Sequence, residues 1–132
     1  MKKILLVVVI AVFIFGLTAC GGSNAESLAN DMIKVTNNYT DALNNVKTKE
    51  DLISAMGVYA KSMTSITKKG QELAKSNPEA MKPMKNKEIS KKIGEAMQNM
   101  MKAQMKPNII KFMADPDVQK ATKDMQKEIM KK

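Results

Sequence analysis

Beyond about residue 25, apolar residues recur at alternating four- and three-residue steps, the spacing of one face of an α-helix. Leu28, Met32, Val35, Tyr39, Ala42 and Val46 form the first stripe. Leu52, Met56, Tyr59, Met63, Ile66, Gly70 and Leu73 form the second. A third carries Ile89, Ile93, Ala96, Met97, Met100 and Ala103, with Met101 at its edge, and the last is Val118, Thr122, Met125 and Ile129. No segment alternates with the period of two that a half-buried strand requires. The pattern therefore predicts an all-α fold: a small bundle of about four amphipathic helices. Stripes that repeat every 3.5 residues suit helices crossing at about 20°. The short break between the first two makes them a long antiparallel hairpin, about 30–40 Å in length at 1.5 Å per residue.

Polar punctuation divides the chain at the same places. Ser23 with Glu26 has the pattern of a capping box, and Thr48 with Asp51 repeats it using Asp. The first helix is expected to end near Val46, with a turn over Asn44–Lys49, and the second near Ser76. Asn77 reads as an N-cap with Pro78 at the first helical position. Pro83, one turn further in, argues for an irregular connection over 77–86. The third helix spans about 87–105 and is kinked or ended by Pro107, after which Asn108–Ala114 reads as a short apolar turn. Asp115-Pro116-Asp117 opens the last helix with acids at its positive end, and Lys127, Lys131 and Lys132 complement its negative end. The last two helices would cover one side of the hairpin. A looser alternative leaves the hairpin seam open for a second copy, giving a homo-oligomer.

The chain begins differently. Lys2 and Lys3 precede an almost wholly Ile, Leu, Val and Phe run over Ile4–Phe15, the layout of a signal-peptide n-region and h-region. The uncharged stretch from Ile4 to Ala19 is 16 residues, short of the roughly 20 that span a bilayer as a helix. It ends in Leu17-Thr18-Ala19-Cys20. This segment resembles the signal peptide and lipobox of bacterial lipoproteins, over residues 1–20 alone. The resemblance implies a diacylglycerol thioether on Cys20, cleavage between Ala19 and Cys20, and acylation of the new amino terminus. It also implies an extracytoplasmic protein held on the membrane by lipid. Gly21 stands where an Asp typically retains such proteins in the inner membrane of double-membraned bacteria, so the outer membrane is favoured there. The expected organisation is a removed signal peptide (1–19), a lipidated cysteine and short tether (20–24), and one helical domain (25–132).

Removing the signal takes two lysines with it, leaving 20 Lys against 13 acids and a net charge of +7. Every basic residue is Lys, which argues against bidentate recognition of phosphate or bases and hence against a nucleic-acid partner. There is no histidine, and Cys20, the one cysteine, would carry lipid. Thiol and imidazole chemistry are therefore closed to the mature chain. Ser65-Ile66-Thr67-Lys68 matches S-x-x-K, without the other motifs of penicillin-recognising enzymes. No enzyme activity and no cofactor are expected.

Two residue clusters remain as candidate sites. Met97, Met100, Met101 and Met105 lie at helical spacing, and thioethers are soft ligands suited to Cu(I). Met is equally a pliable filler of cores and partner surfaces. Lys85, Lys91 and Lys92 belong to a lysine-rich stretch that would attract anionic lipid or wall polymer. Glu88 and Glu95 interrupt it, as on an ordinary solvated helix face. The leading expectation is a lipid-anchored binding, adaptor or structural module that holds an envelope protein at the membrane. The alternatives are anion or lipid binding through the lysines and Cu(I) binding through the methionines.

Overall fold

The computed structural model describes residues 23–77, 79 and 86–130, with Ser23 and Asn24 as backbone alone. Ala19, Cys20, Lys85 and the predicted Ser23 side-chain cap lie outside what is described. The described residues form five helical segments, four of them long: α1 Ser23–Asn44, α2 Lys49–Ser76, α3 Lys87–Gln104, α4 Pro107–Phe112 and α5 Pro116–Met130. The fold is all-α, and no strand occurs among these residues. No described helix is long and apolar enough to cross a membrane.

The turn between α1 and α2 shows how local chemistry sets the fold. The Thr48 hydroxyl accepts from the Asp51 N–H at 3.1 Å, and Asp51 accepts from the N–H of Lys47 and of Thr48 at 3.0 Å each. This is the predicted capping box with Asp as its fourth member. The bonds from the Lys47 and Thr48 backbones hold the Asp51 carboxyl below its usual range. Chain reversal at this point lays α2 back along α1, giving the antiparallel hairpin.

The third and last helices do not share one arm of that hairpin. α3 packs on α1, α5 packs on α2, and α4 bridges α2 and α3. The seam of the hairpin is thereby covered within the chain. Side chains tie the layers at both ends. At the turn end, Asn108 Nδ2 donates to the Val46 carbonyl at 3.0 Å. There too, the Lys49 ammonium lies 2.8 Å from Asp117 and 3.3 Å from Asp115. At the opposite end, the base, Asn86 Nδ2 donates to Glu26 Oε1 at 3.2 Å. The start of α3 therefore lies beside the start of α1.

Four sequence expectations change. Asn77 is the C-cap of α2, its N–H donating to the Leu73 carbonyl at 2.8 Å, and Asn86 is the N-cap of α3, accepting from Glu88 and Ile89. Pro107 does more than end α3: it stands at the first position of α4, where its missing N–H costs nothing, so the predicted apolar turn is a short helix. α1 stops at Asn44, and Val46 is a buried turn residue. The buried face of α1 is also wider than one stripe. Ala25, Ala29, Thr36, Thr40 and Leu43 join it, while Val35 and Ala42 are only half-buried. A helix that packs on two neighbours needs a broader apolar face than a two-helix seam does.

Candidate functional site

The candidate methionines separate on α3. Successive residues on an α-helix point about 100° apart, whereas residues four apart share a face. Met100 is fully buried and Met97 packs against the core. Met101 and Met105 face solvent, Met105 being 65% exposed. Met97, Met101 and Met105 descend one face in steps of about 6 Å, and Met100 turns away from it. The four methionines therefore divide between the core and solvent. Among the described residues, no group of three or more His, Cys, Asp or Glu is placed to hold a metal ion.

Lys91 and Lys92, the two candidate lysines among the described residues, are partnered. Lys92 lies 2.8 Å from Glu88 and Lys91 3.8 Å from Glu95, each pair one helical turn apart. Glu88 raises the Lys92 pKa, and Lys92 in turn lowers that of Glu88. Pairs this exposed contribute little to stability. They do neutralise the charge that an anion would seek.

Beneath α3 lies a buried polar layer that the apolar stripes only partly disclosed. The Tyr39 and Tyr59 rings stack at 4.3 Å between centroids with 23° between their planes. Thr36, Thr40 and Gln104 are buried in the same core, and the Thr40 hydroxyl donates to the Thr36 carbonyl at 2.9 Å. Burial pushes the Tyr59 phenol from 10.0 up to about 12, with Thr36 opposing. Burial raises the Tyr39 phenol further, the neighbouring Tyr59 adds to the rise, and Gln104 opposes it. A group whose pKa is raised on folding stabilises fully below its unfolded value and loses that contribution as pH climbs through the folded value. Thermal melts should therefore show the tyrosine contribution intact below pH 10 and lost as the pH approaches 12. Tyr59→Phe should flatten that alkaline fall.

Gln104 is the anomaly of this layer. Its amide faces Tyr39, yet neither its nitrogen nor its oxygen has a hydrogen-bond partner of good geometry among the described residues. A buried unsatisfied polar group costs about 1–3 kcal/mol, and replacing it with an apolar group of similar shape removes that cost. Gln104→Met is expected to raise stability by about 1 kcal/mol, read as a higher urea midpoint at unchanged m-value.

A groove opens between α1 and α3 near the turn end, with a volume of about 510 Å³. Asn37, Asp41 and Asn44 line it from α1, Asn99 and Lys102 from α3, and Lys106 from the start of α4, over a floor of Thr40 and Ala103. Neither these lysines nor the asparagines stand out in the sequence as a site. A signal was present, because Asn within a helix competes with the backbone and lowers helix propensity. No protein-family model matches the chain, and neither the curated proteins nor the solved structures contain a match.

Proposed function

We propose that this protein is a lipid-anchored, non-enzymatic module that holds a protein partner at the surface of the cell-envelope membrane. The observation that carries the anchor is Leu17-Thr18-Ala19-Cys20 closing a charged and then apolar leader. With α1 beginning at Ser23, only Gly21 and Gly22 lie between the lipidated cysteine and the first helix, a span of roughly 11 Å at full extension. That short tether would keep the base of the bundle close to the lipid headgroups. A non-enzymatic role is supported by a chain with no histidine and no cysteine other than Cys20. Contact with a protein is supported by Met101 and Met105, which stand exposed on a helix whose other stripe residues lie in the core or pack against it. Pliable thioethers suit such a surface.

A photo-crosslinking residue placed at Met105 in the native host tests the partner. A discrete protein adduct that survives high salt is the expected product. Lipid adducts alone, or none at native abundance, would remove the adaptor reading. Anion binding through Lys91 and Lys92 is less favoured because Glu95 and Glu88 already occupy them.

A further inference from the structure

We infer that the groove between α1 and α3 binds a short anionic saccharide. Its volume of about 510 Å³ falls within the range of small-ligand sites. Six of its eight lining residues carry polar heads: three side-chain amides, one carboxylate and two ammonium groups. Within that set, Asn37 and Asn44 stand seven residues apart on α1, so that two turns of that helix reach the groove. Asn99 and Lys102 are neighbours on α3, and Lys106 caps the start of α4.

These polar heads are not engaged elsewhere. None of the six makes a side-chain hydrogen bond or ion pair with another of the described residues. By contrast, Asn45, Asn86 and Asn108 use their amides within the fold. Asn within α1 and α3 carries a helix-propensity penalty of roughly 0.6 kcal/mol against Ala, and here no internal bond offsets it. The chemistry of the lining then selects the ligand. Amides that both donate and accept, beside a carboxylate that accepts, match a dense array of hydroxyl and N-acyl groups. Two lysines against one aspartate require a net negative ligand, carrying a carboxylate or a phosphate. The floor offers only Ala103 and the Thr40 methyl, and both tyrosines with described positions are buried. Without a ring on which to stack a sugar face, binding would be weak and dominated by charge.

The mature full-length protein in detergent is to be titrated with three probes, followed by calorimetry and by the asparagine side-chain amide signals in NMR. The probes are N-acetylglucosaminyl-N-acetylmuramic acid, the neutral N,N′-diacetylchitobiose, and a hexose 6-phosphate. The acid or the phosphate should shift the amides of Asn37, Asn44 and Asn99, and whichever binds tighter identifies the anionic group. Lys102→Gln with Lys106→Gln should weaken binding at least tenfold, whereas Lys91→Gln with Lys92→Gln should leave it unchanged. All four lysines are exposed, and a far-ultraviolet dichroism spectrum checks that each variant is folded. The neutral disaccharide binding as well as the acid would overturn the inference, as would indifference to the groove double substitution or the absence of amide shifts with every probe. The adaptor reading fails or stands separately, because its readout is a protein crosslink and not saccharide binding.

Discussion

Cys20→Ser, exported on an ordinary cleaved secretory signal, is expected to leave the membrane fraction for the aqueous one. The serine oxygen cannot form the thioether that the lipobox reading requires. The size of the effect follows from acyl-chain arithmetic. Each buried methylene contributes about 0.8 kcal/mol, one chain binds only reversibly, and two or more anchor stably. Removing all of them leaves the lysines as the remaining attraction, about 1 kcal/mol each close to an anionic surface. That attraction is screened within a few ångströms at high salt. Fractionation at low and high ionic strength therefore separates the contributions. The wild-type protein should pellet with membranes at both, and the variant should be released fully at high salt. A variant that pellets as completely as wild type in high salt would show that lipid on Cys20 is not the anchor.

Leu43→Ala should cause the largest loss of stability among single core truncations on α1. Leu43 is fully buried, with no exposed surface. Truncating such a leucine removes its transfer free energy and leaves a cavity, at a cost of 2–5 kcal/mol in general and about 3 kcal/mol here. Against a typical total of about 5–15 kcal/mol for a domain, that is a large fraction. It corresponds to a fall in Tm of roughly 10–15 °C for a domain of this size. Val35→Ala is the informative comparison. Val35 belongs to the four-three stripe and Leu43 does not, yet Val35 is only half-buried. Its truncation should cost no more than about 1 kcal/mol. Equal losses at the two positions would mean that α1 packs through a narrow two-helix seam and not against both α2 and α3.

The contrast between those residues shows what the sequence could disclose. On α2, Leu52, Met56, Tyr59, Met63, Ile66 and Gly70 are all buried as their spacing predicts, and Thr48 with Asp51 caps the helix as expected. There the repeat and the packing agree. On α1 the buried face extends beyond the stripe to Thr36, Thr40 and Leu43, and no periodicity within α1 announces that α3 will also dock on it. Asn77 was misread because Asn suits either end of a helix and Pro78 follows it. The structure assigns it to the end of α2 and gives the N-cap of α3 to Asn86. Pro107 was read as a stop when it is equally a start.

The groove was the least legible part. Asn37, Asp41 and Asn44 meet Asn99, Lys102 and Lys106 only because α1 and α3 run side by side in one register. That register depends on contacts at the base, such as Asn86 with Glu26, 60 residues apart in the chain. The methionines were legible as pliable filler of core and surface alike: Met100 lies in the core, and Met101 and Met105 face solvent.

The central claim is a helical module carried on lipid at Cys20. Tandem mass spectrometry of the amino-terminal peptide from protein isolated in its native host tests it most directly. The predicted peptide begins at Cys20 and carries a diacylglycerol thioether together with an acyl group on its α-amine. A peptide that begins at Met1, or one that begins at Cys20 with an unmodified thiol, would contradict it.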